Sequence, residues 1–188
     1  MAISTSDFKN GHTLDLPEGL FQIVDFQHVK PGKGGAFVRT TLRNVRTGAQ
    51  QERTFRAGEK MERAVIDKRE MQYLYYDGSQ YVFMDNETYE QMEVDADALG
   101  DAANYVLEGN AIVLQMFGME IVGIDLPTSV VLTVAETEPG IQGDRVSGAR
   151  KPATMETGLI VQVPLFIETD EKLKIDTRSG DYIERANN

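Results

Sequence analysis

Lys33 is the side chain of this sequence whose surroundings are best suited to chemistry. It lies within Lys30–Ala36, a glycine- and proline-rich stretch between two strand-like runs, Leu20–Phe26 and Ala36–Leu42, which together predict a β-hairpin. Proline fixes its own φ, and glycine permits backbone angles that side chains forbid. An ammonium group on a flexible stem can bind ribose and phosphate oxygens. Besides Lys33, the loop residues expected to matter are Lys30, Pro31, Gly32, Gly34 and Gly35.

The alternative interpretation is an ordinary exposed turn with a solvated lysine. A long cation framed by three glycines and a proline favours a tip that approaches another surface closely. The stretch is not a phosphate-binding loop of the nucleotide-hydrolase type, because Gly34 follows Lys33 where such a loop requires serine or threonine.

Other residue types that support catalysis or metal binding are sparse. His12 and His28 flank strand-like runs and are interpreted as packing or surface residues. The acidic residues near Asp95 lack the spacing of a calcium loop. No nucleophile, base and orienting partner can be assembled, so we expect a binding protein rather than an enzyme, with no metal.

Composition and charge narrow the function further. Cysteine is absent, which excludes disulfides and thiolate ligands and fits a reducing compartment. No apolar run approaches the ~20 residues of a membrane helix, and the first residues lack the features of a secretory signal. We therefore expect a cytoplasmic protein without a membrane partner.

The charge is distributed unevenly along the chain. Residues 1–64 contain ten basic and seven acidic residues, residues 65–127 contain two and thirteen, and residues 128–188 contain seven and ten. Contacts with phosphate require Lys or Arg, so the first third is the part expected to touch nucleic acid. Arg39 and Arg43, on one face of their strand by alternation, are the RNA-binding candidates, although such arginines can also serve solubility alone.

Strand and turn signals predict an all-β chain of three small barrels, at residues 1–64, 65–127 and 128–188. The middle block reads as an oligonucleotide/oligosaccharide-binding (OB) barrel with one short helix at Glu93–Ala103, and the last block as a similar five-stranded barrel. The strands expected in the first block are His12–Leu16, Leu20–Val29, Phe37–Val45 and Gln51–Phe55. Those expected in the last block are Val130–Ala135, Leu159–Ile167, Leu173–Asp176 and a closing hairpin turned at Arg178–Asp181.

The sequence around Lys33 resembles the domain-one loop of the bacterial translation elongation factor P family, which is related to the hypusine-carrying factor of archaea and eukaryotes. The resemblance extends over essentially the whole chain. It rests on Lys-Pro-Gly-Lys-Gly-Gly-Ala-Phe (30–37), Tyr-Leu-Tyr-Tyr-Asp-Gly (73–78), Phe-Met-Asp-Asn-Glu-Thr-Tyr-Glu-Gln (83–91), Pro-Gly-Ile-Gln-Gly-Asp (139–144), Lys-Pro-Ala-Thr-Met-Glu-Thr-Gly-Leu-Ile-Val-Gln-Val-Pro-Leu-Phe (151–166) and Ile-Asp-Thr-Arg-Ser-Gly-Asp-Tyr (175–182).

This resemblance implies an elongated, L-shaped monomer with an SH3-like (KOW-type) barrel followed by two OB-fold barrels. It implies binding to the 70S ribosome between the peptidyl (P) and exit (E) sites, with contacts to peptidyl-tRNA, ribosomal RNA and ribosomal proteins. The implied function is stimulation of peptide-bond formation when consecutive prolines stall synthesis. By the same resemblance, Lys33 reaches toward the peptidyl-transferase centre.

Many members of that family carry a covalent extension at the tip residue, commonly a β-lysyl group, whereas others carry a different group or an arginine. The resemblance thus marks Lys33 as a candidate for modification by a lysine-modifying enzyme, and implies no cofactor.

The third barrel departs from the family at two positions. Ala149-Arg150 stand where the family often has Gly-Gly, in a loop expected near the exit-site codon. Asp170 stands where glycine is usual, which predicts a different turn. The candidate residues of that loop are Gly143, Asp144, Arg145, Ser147 and Arg150.

A different class of function also fits the barrels: an OB-fold module that binds oligonucleotides or oligosaccharides and has no connection with the ribosome.

Overall fold

The computed structural model describes residues 1–140 and 148–187. Within those residues, sixteen strands form one six-stranded and two five-stranded sheets, which confirms the expected all-β class. The chain divides into two compact units. One consists of Met1–Lys68 together with Leu114–Gly123, and the other of Arg69–Val113 together with Ile124–Asn188.

The first sheet contains the long hairpin predicted around Lys33. The strands are β1 (Ala2–Ser4), β2 (Thr13–Leu16), β3 (Gly19–Val29), β4 (Phe37–Asn44), β5 (Gln50–Arg56) and β6 (Lys60–Ala64). Their order in the sheet is β1-β6-β2-β3-β4-β5, and the core contains side chains such as Leu14, Ile23, Leu42 and Phe55. The short edge pair β1–β6 was not predicted, because neither strand shows apolar alternation over a useful length.

The two five-stranded sheets have the same topology. If the strands of each sheet are numbered 1 to 5 along the chain, their order across the sheet is 5-4-1-2-3 in both. In both sheets the first strand has a bulge where it pairs with the second. This confirms the prediction of two related barrels. The second sheet contains β7 (Asp67–Tyr76), β8 (Gln80–Asp85), β9 (Gln91–Asp95), β10 (Ala111–Phe117) and β11 (Glu120–Asp125). The third contains β12 (Ser129–Thr137), β13 (Arg150–Met155), β14 (Ile160–Pro164), β15 (Lys172–Asp176) and β16 (Tyr182–Arg185).

The helix expected at Glu93–Ala103 is shorter and begins later. Residues up to Asp95 belong to β9, the α-helix α1 spans Ala96–Leu99, and a 3-10 helix spans Gly100–Tyr105. The prediction was wrong at its start because pairing of β9 with β8 satisfies the backbone there, and Val94 is buried.

One turn type recurs in all three sheets. A side-chain oxygen of Asn44, Asp85 or Asp176 accepts hydrogen bonds at 2.7–3.1 Å from the N–H groups two and three residues later. These backbone donors hold the pKa of Asp85 and Asp176 below the ordinary aspartate value. The residue four positions after the capping side chain has positive φ in each turn: Gly48 (73°), Tyr89 (61°) and Gly180 (76°).

Tyr89 therefore occupies a position that glycine fills in the other two turns. A left-handed conformation costs an L-residue about 1–2 kcal/mol. Glycine at position 89 would avoid that cost, but its greater flexibility in the unfolded chain would offset part of the gain in stability. We expect Tyr89→Gly to raise the free energy of unfolding by about 0.5 kcal/mol, as measured by urea denaturation. Tyr89→Ala is the control, because it removes the exposed ring but keeps the Cβ; equal stabilisation by both would contradict this explanation.

Asp170 also adopts positive φ, at 69°. Its N–H donates to the Val134 carbonyl at 2.9 Å. The backbone at this residue thus takes the left-handed conformation that glycine favours.

Candidate functional site

The Lys33 loop is carried by the longest strand pairing of the first sheet. β3 and β4 pair from Phe21↔Asn44 to Val29↔Phe37, with a register shift between Ile23 and Asp25. Beyond the last pair, the loop is fastened on its outgoing side, where Ala57 N–H donates to the Ala36 carbonyl at 3.0 Å. The loop therefore projects from a fixed base.

Within the loop, residues 30–35 are all exposed. Gly34 has φ 109°, which a side chain would rarely adopt, whereas Gly32 and Gly35 lie outside the positive-φ range and have open space where a Cβ would be. The expectation that glycine is needed for unusual backbone angles therefore holds for Gly34 alone. At the other two positions, glycine keeps the loop thin.

The Lys33 ammonium is free. Among residues 1–140 and 148–187 it has no hydrogen-bond or ion-pair partner, and neither has the Lys30 ammonium at the loop's base. Because no carboxylate neutralises Lys33 and no carbonyl holds its stem, its charge is available to an external anion. A side chain without contacts contributes little to folding, so the tip is suited to binding.

Arg39 and Arg43 lie on the outer face of β4, as alternation predicted. Both are exposed, while Val38, Thr40 and Leu42 on the opposite face are buried. In the part of the chain that the structure describes, neither guanidinium has an ion pair. The intervening row, however, holds Asp25 and Glu52 beside Thr41, so this face alternates in charge.

Ion pairs distinguish three other arginines of this unit, Arg46, Arg53 and Arg56. Arg53 pairs with Glu18 at 3.1 Å and stacks over Phe55, and Arg46 pairs with Glu120. These two are occupied in structural contacts. Arg56, by contrast, lies opposite Phe37 at the base of the Lys33 loop, and its guanidinium has no ion pair among the described residues. The sequence pattern alone does not distinguish Arg56 from the other arginines. Because Arg56 pairs with Phe37 beside the loop, we add it to the RNA-binding candidates.

Of the five candidate residues of the loop in the third block, Arg150 alone lies within the described residues. Gly143, Asp144, Arg145 and Ser147 lie outside the described residues. Arg150 opens β13 in the second compact unit, and its Nη1 donates to the Gln162 carbonyl at 3.2 Å. Arg150 is thus held against its own sheet.

The two histidines lie in different settings. His28 is exposed on β3 with its ring edge-on to Phe26, whereas His12 is half-buried, and burial lowers its pKa from 6.5. Over the described ranges, no group of three or more His, Asp and Glu side chains is arranged to hold a metal ion, and no helix is long and apolar enough to cross a membrane.

Comparison with known proteins covers nearly the whole chain. A family model described as the elongation factor P KOW-like domain matches residues 4–61, one described as the elongation factor P OB domain matches residues 66–124, and one described as the elongation factor P C-terminal domain matches residues 130–185. The first two descriptions agree with the expected KOW-type and OB-fold barrels. The third sheet shares its strand order with the second.

Full-length relatives carry one name. Elongation factor P of Pelotomaculum thermopropionicum is 55% identical over 184 residues, which is 98% of this chain and 100% of the relative. Elongation factor P of Salinispora tropica is 58% identical, covering 97% and 99% of the two chains. Among solved structures, eukaryotic translation initiation factor 5A from Methanococcus jannaschii is similar with a TM-score of 0.50 and 26% identity, covering 66% of this chain and 92% of that one.

Proposed function

The chain belongs to the elongation factor P family of translation elongation factors, and we propose that it binds the 70S ribosome between the P and E sites to stimulate peptide-bond formation at consecutive prolines. The observation that carries the proposal is the Lys33 loop. Its cation is exposed and has no partner in the described part of the chain, and a backbone hydrogen bond fastens the loop at its base.

The proposed action is positioning. A prolyl amine is a poor, geometry-limited acceptor, and a prolyl ester is a poor donor. Holding the terminal end of peptidyl-tRNA in place lowers the entropic part of the barrier without supplying an acid or a base. A lysine ammonium suits this task because it donates hydrogen bonds to oxygen atoms. Lys33 has no partner among the described residues that would make it a nucleophile or a proton shuttle.

We further propose that Lys33 is the site of a covalent extension, such as a β-lysyl group, added by a lysine-modifying enzyme. The exposed ammonium is accessible to such an enzyme, and the neighbouring Gly32 and Gly35 present no side chain that would obstruct it. The extension would lengthen the reach of the tip while keeping a terminal amine, and no separate cofactor is invoked.

Contact with ribosomal RNA and tRNA is assigned to the first block, the net-positive one, through Arg39 and Arg43, with Arg56 added beside the loop. The acidic blocks would meet ribosomal proteins and the edges of the tRNA. Gly143, Asp144, Arg145, Ser147 and Arg150 remain the candidates for contact near the exit-site codon. The protein is proposed to act as a cytoplasmic monomer.

Co-sedimentation with 70S ribosomes tests this function against an OB-fold oligonucleotide- or oligosaccharide-binding module. The expected result is saturable, salt-sensitive pelleting with ribosomes that carry peptidyl-tRNA in the P site and an empty E site. Weaker pelleting is expected when deacylated tRNA fills the E site, because the two would occupy overlapping space. Binding to free oligonucleotides with no ribosome association would favour the other class.

A further inference from the structure

A second cationic site lies in the first compact unit, in an open pocket of about 490 Å³. Its walls come from the N-terminal segment, the residues just before β2, and β6. The residues that matter here are Phe8, Lys9, His12 and Arg63, with Asp7 also part of the lining. None of these residues belongs to the Lys33 loop or to the outer face of β4.

Arg63 points toward the barrel interior. It lies directly opposite Leu14, which is fully buried, and residues opposite each other in antiparallel strands project to the same face. Its Nε is buried and has no hydrogen-bond partner among the described residues. A guanidinium N–H without an acceptor is costly, so a small side-chain movement that lets it donate to an acceptor in the pocket is favourable.

His12 adds a second unpartnered nitrogen to the same pocket. Its backbone is fixed, since its N–H donates to the Lys9 carbonyl at 3.1 Å and its carbonyl accepts from Ile23 N–H at 2.8 Å. Its Nδ1 is buried and has no hydrogen-bond partner within the ranges that the structure describes. A neutral imidazole can carry its proton on Nδ1, so this nitrogen can donate to the same acceptor as Arg63.

The charges around the two nitrogens favour an anion. Burial lowers the pKa of His12, and Arg63 and Lys9 lower it further, whereas Asp7 opposes them. The Asp7 carboxylate is engaged elsewhere, accepting from the Ser4 N–H at 2.9 Å and the Ser4 hydroxyl at 3.1 Å. The N-terminal ammonium at the rim is paired with Glu62 at 2.9 Å. Lys9 and Arg63 are thus the cations left for a ligand.

We propose that this pocket binds a phosphate-type oxyanion, with Arg63 Nε and His12 Nδ1 as the two donors and Lys9 as a neighbouring charge. One tetrahedral anion offers several acceptor oxygens, so it can accept from two donors of one pocket once their side chains turn toward it. Because a bound anion favours the imidazolium form, binding raises the pKa of His12 and strengthens as the pH falls through that pKa. The phosphate can be free or part of an RNA backbone. Binding at this pocket does not require the proposed role of Lys33.

The test is a titration of the full-length, ¹⁵N-labelled protein with inorganic phosphate at constant ionic strength, following the imidazole nitrogens by NMR. The chain has two histidines, so His28→Gln assigns the spectrum and exposed His28 is the internal control. We expect a saturable shift of the His12 signals in the low-millimolar range and a small, linear one for His28. A His12 response no larger than that of His28 would overturn the proposal.

Variants identify the donors. Arg63→Met keeps an unbranched apolar stem but removes the charge and Nε–H, and should weaken phosphate binding about tenfold or more. Lys60→Met is the matched control: it removes a cation from the same strand, is exposed, and does not line the pocket. Equal affinity of Arg63→Met and wild type would also overturn the proposal. If Arg63→Met does not fold, Lys9→Met provides the comparison, with weaker binding expected and unchanged affinity overturning the proposal.

The source of the anion is separated by a parallel titration with a short single-stranded RNA. If the pocket takes a backbone phosphate, the RNA saturates the His12 shift at a lower phosphate concentration than inorganic phosphate does. If it takes a free anion, inorganic phosphate and sulfate shift His12 and the RNA does not. Both results support an oxyanion site. If phosphate, sulfate and RNA all leave the His12 signals unshifted, the proposal is refuted.

Discussion

Replacement of Lys33 by alanine is expected to abolish the rescue of proline-run translation while changing the free energy of unfolding by no more than about 0.5 kcal/mol. The ammonium has no partner among the described residues, so its loss removes no contact that stabilises the barrel. Peptide formation on a proline-run message in a reconstituted system, together with urea denaturation, measures both quantities. A Lys33→Ala protein that clears the stall at the normal rate would show that the loop is an ordinary turn.

Two further substitutions separate modification from charge. Lys33→Arg keeps the charge but offers no primary amine for acylation, so it should behave nearly like Lys33→Ala if a covalent extension is required. If charge alone is sufficient, the arginine variant should retain much of the activity. Lys30→Ala is the matched control, because Lys30 is an exposed and unpaired lysine at the loop's base within the described ranges, and its loss should reduce rescue less.

The double substitution Arg39→Ala/Arg43→Ala is expected to weaken ribosome association and flatten its salt dependence. If each arginine contacts one phosphate, the slope of log K against log salt should fall by roughly 1.4–1.8 units in total. Both guanidiniums are exposed and lack ion pairs within the described part of the chain, so folding should be little affected. Binding measured at several salt concentrations provides the slope.

The control for that experiment is Arg46→Ala/Arg53→Ala, which removes the same charge from the same compact unit. These arginines are paired with Glu120 and Glu18, so they are not available to phosphate in the same way. We expect a smaller loss of affinity and a slope close to that of the wild type. If both double variants bind equally well, the arginines of β4 serve solubility and do not contact RNA.

The sequence predicted those features that depend on local pattern. The hairpin of β3 and β4 was evident because alternating apolar residues flank a run of glycine and proline, and the structure pairs the strands down to Val29↔Phe37. The exposed Lys33 at its tip follows from the same signals. The last two barrels were also predicted as a related pair from their strand and turn signals, although no sequence repeat is visible. The structure gives both sheets the same strand order.

Features that depend on distant pairing were missed or misplaced. β1 has three residues and β6 is rich in charged side chains, so only their mutual pairing marks them as strands. β13 went unrecognised because it contains Pro152, which usually argues against a strand. Which arginines form ion pairs depends on contacts between residues distant in sequence, such as Arg46–Glu120 and Arg53–Glu18. The position of Arg56 beside the loop depends on the cross-strand register.

We propose above all that this protein assists peptide-bond formation at consecutive prolines. The most direct measurement is the rate of peptide formation by purified ribosomes on a message with three consecutive prolines, with and without the full-length protein, beside a message with alanines in their place. Protein from its native source should be used, so that any extension on Lys33 is present. We expect a marked acceleration on the proline message and little change on the alanine message. An unchanged rate on the proline message, with protein shown to be bound to the ribosomes, would contradict it.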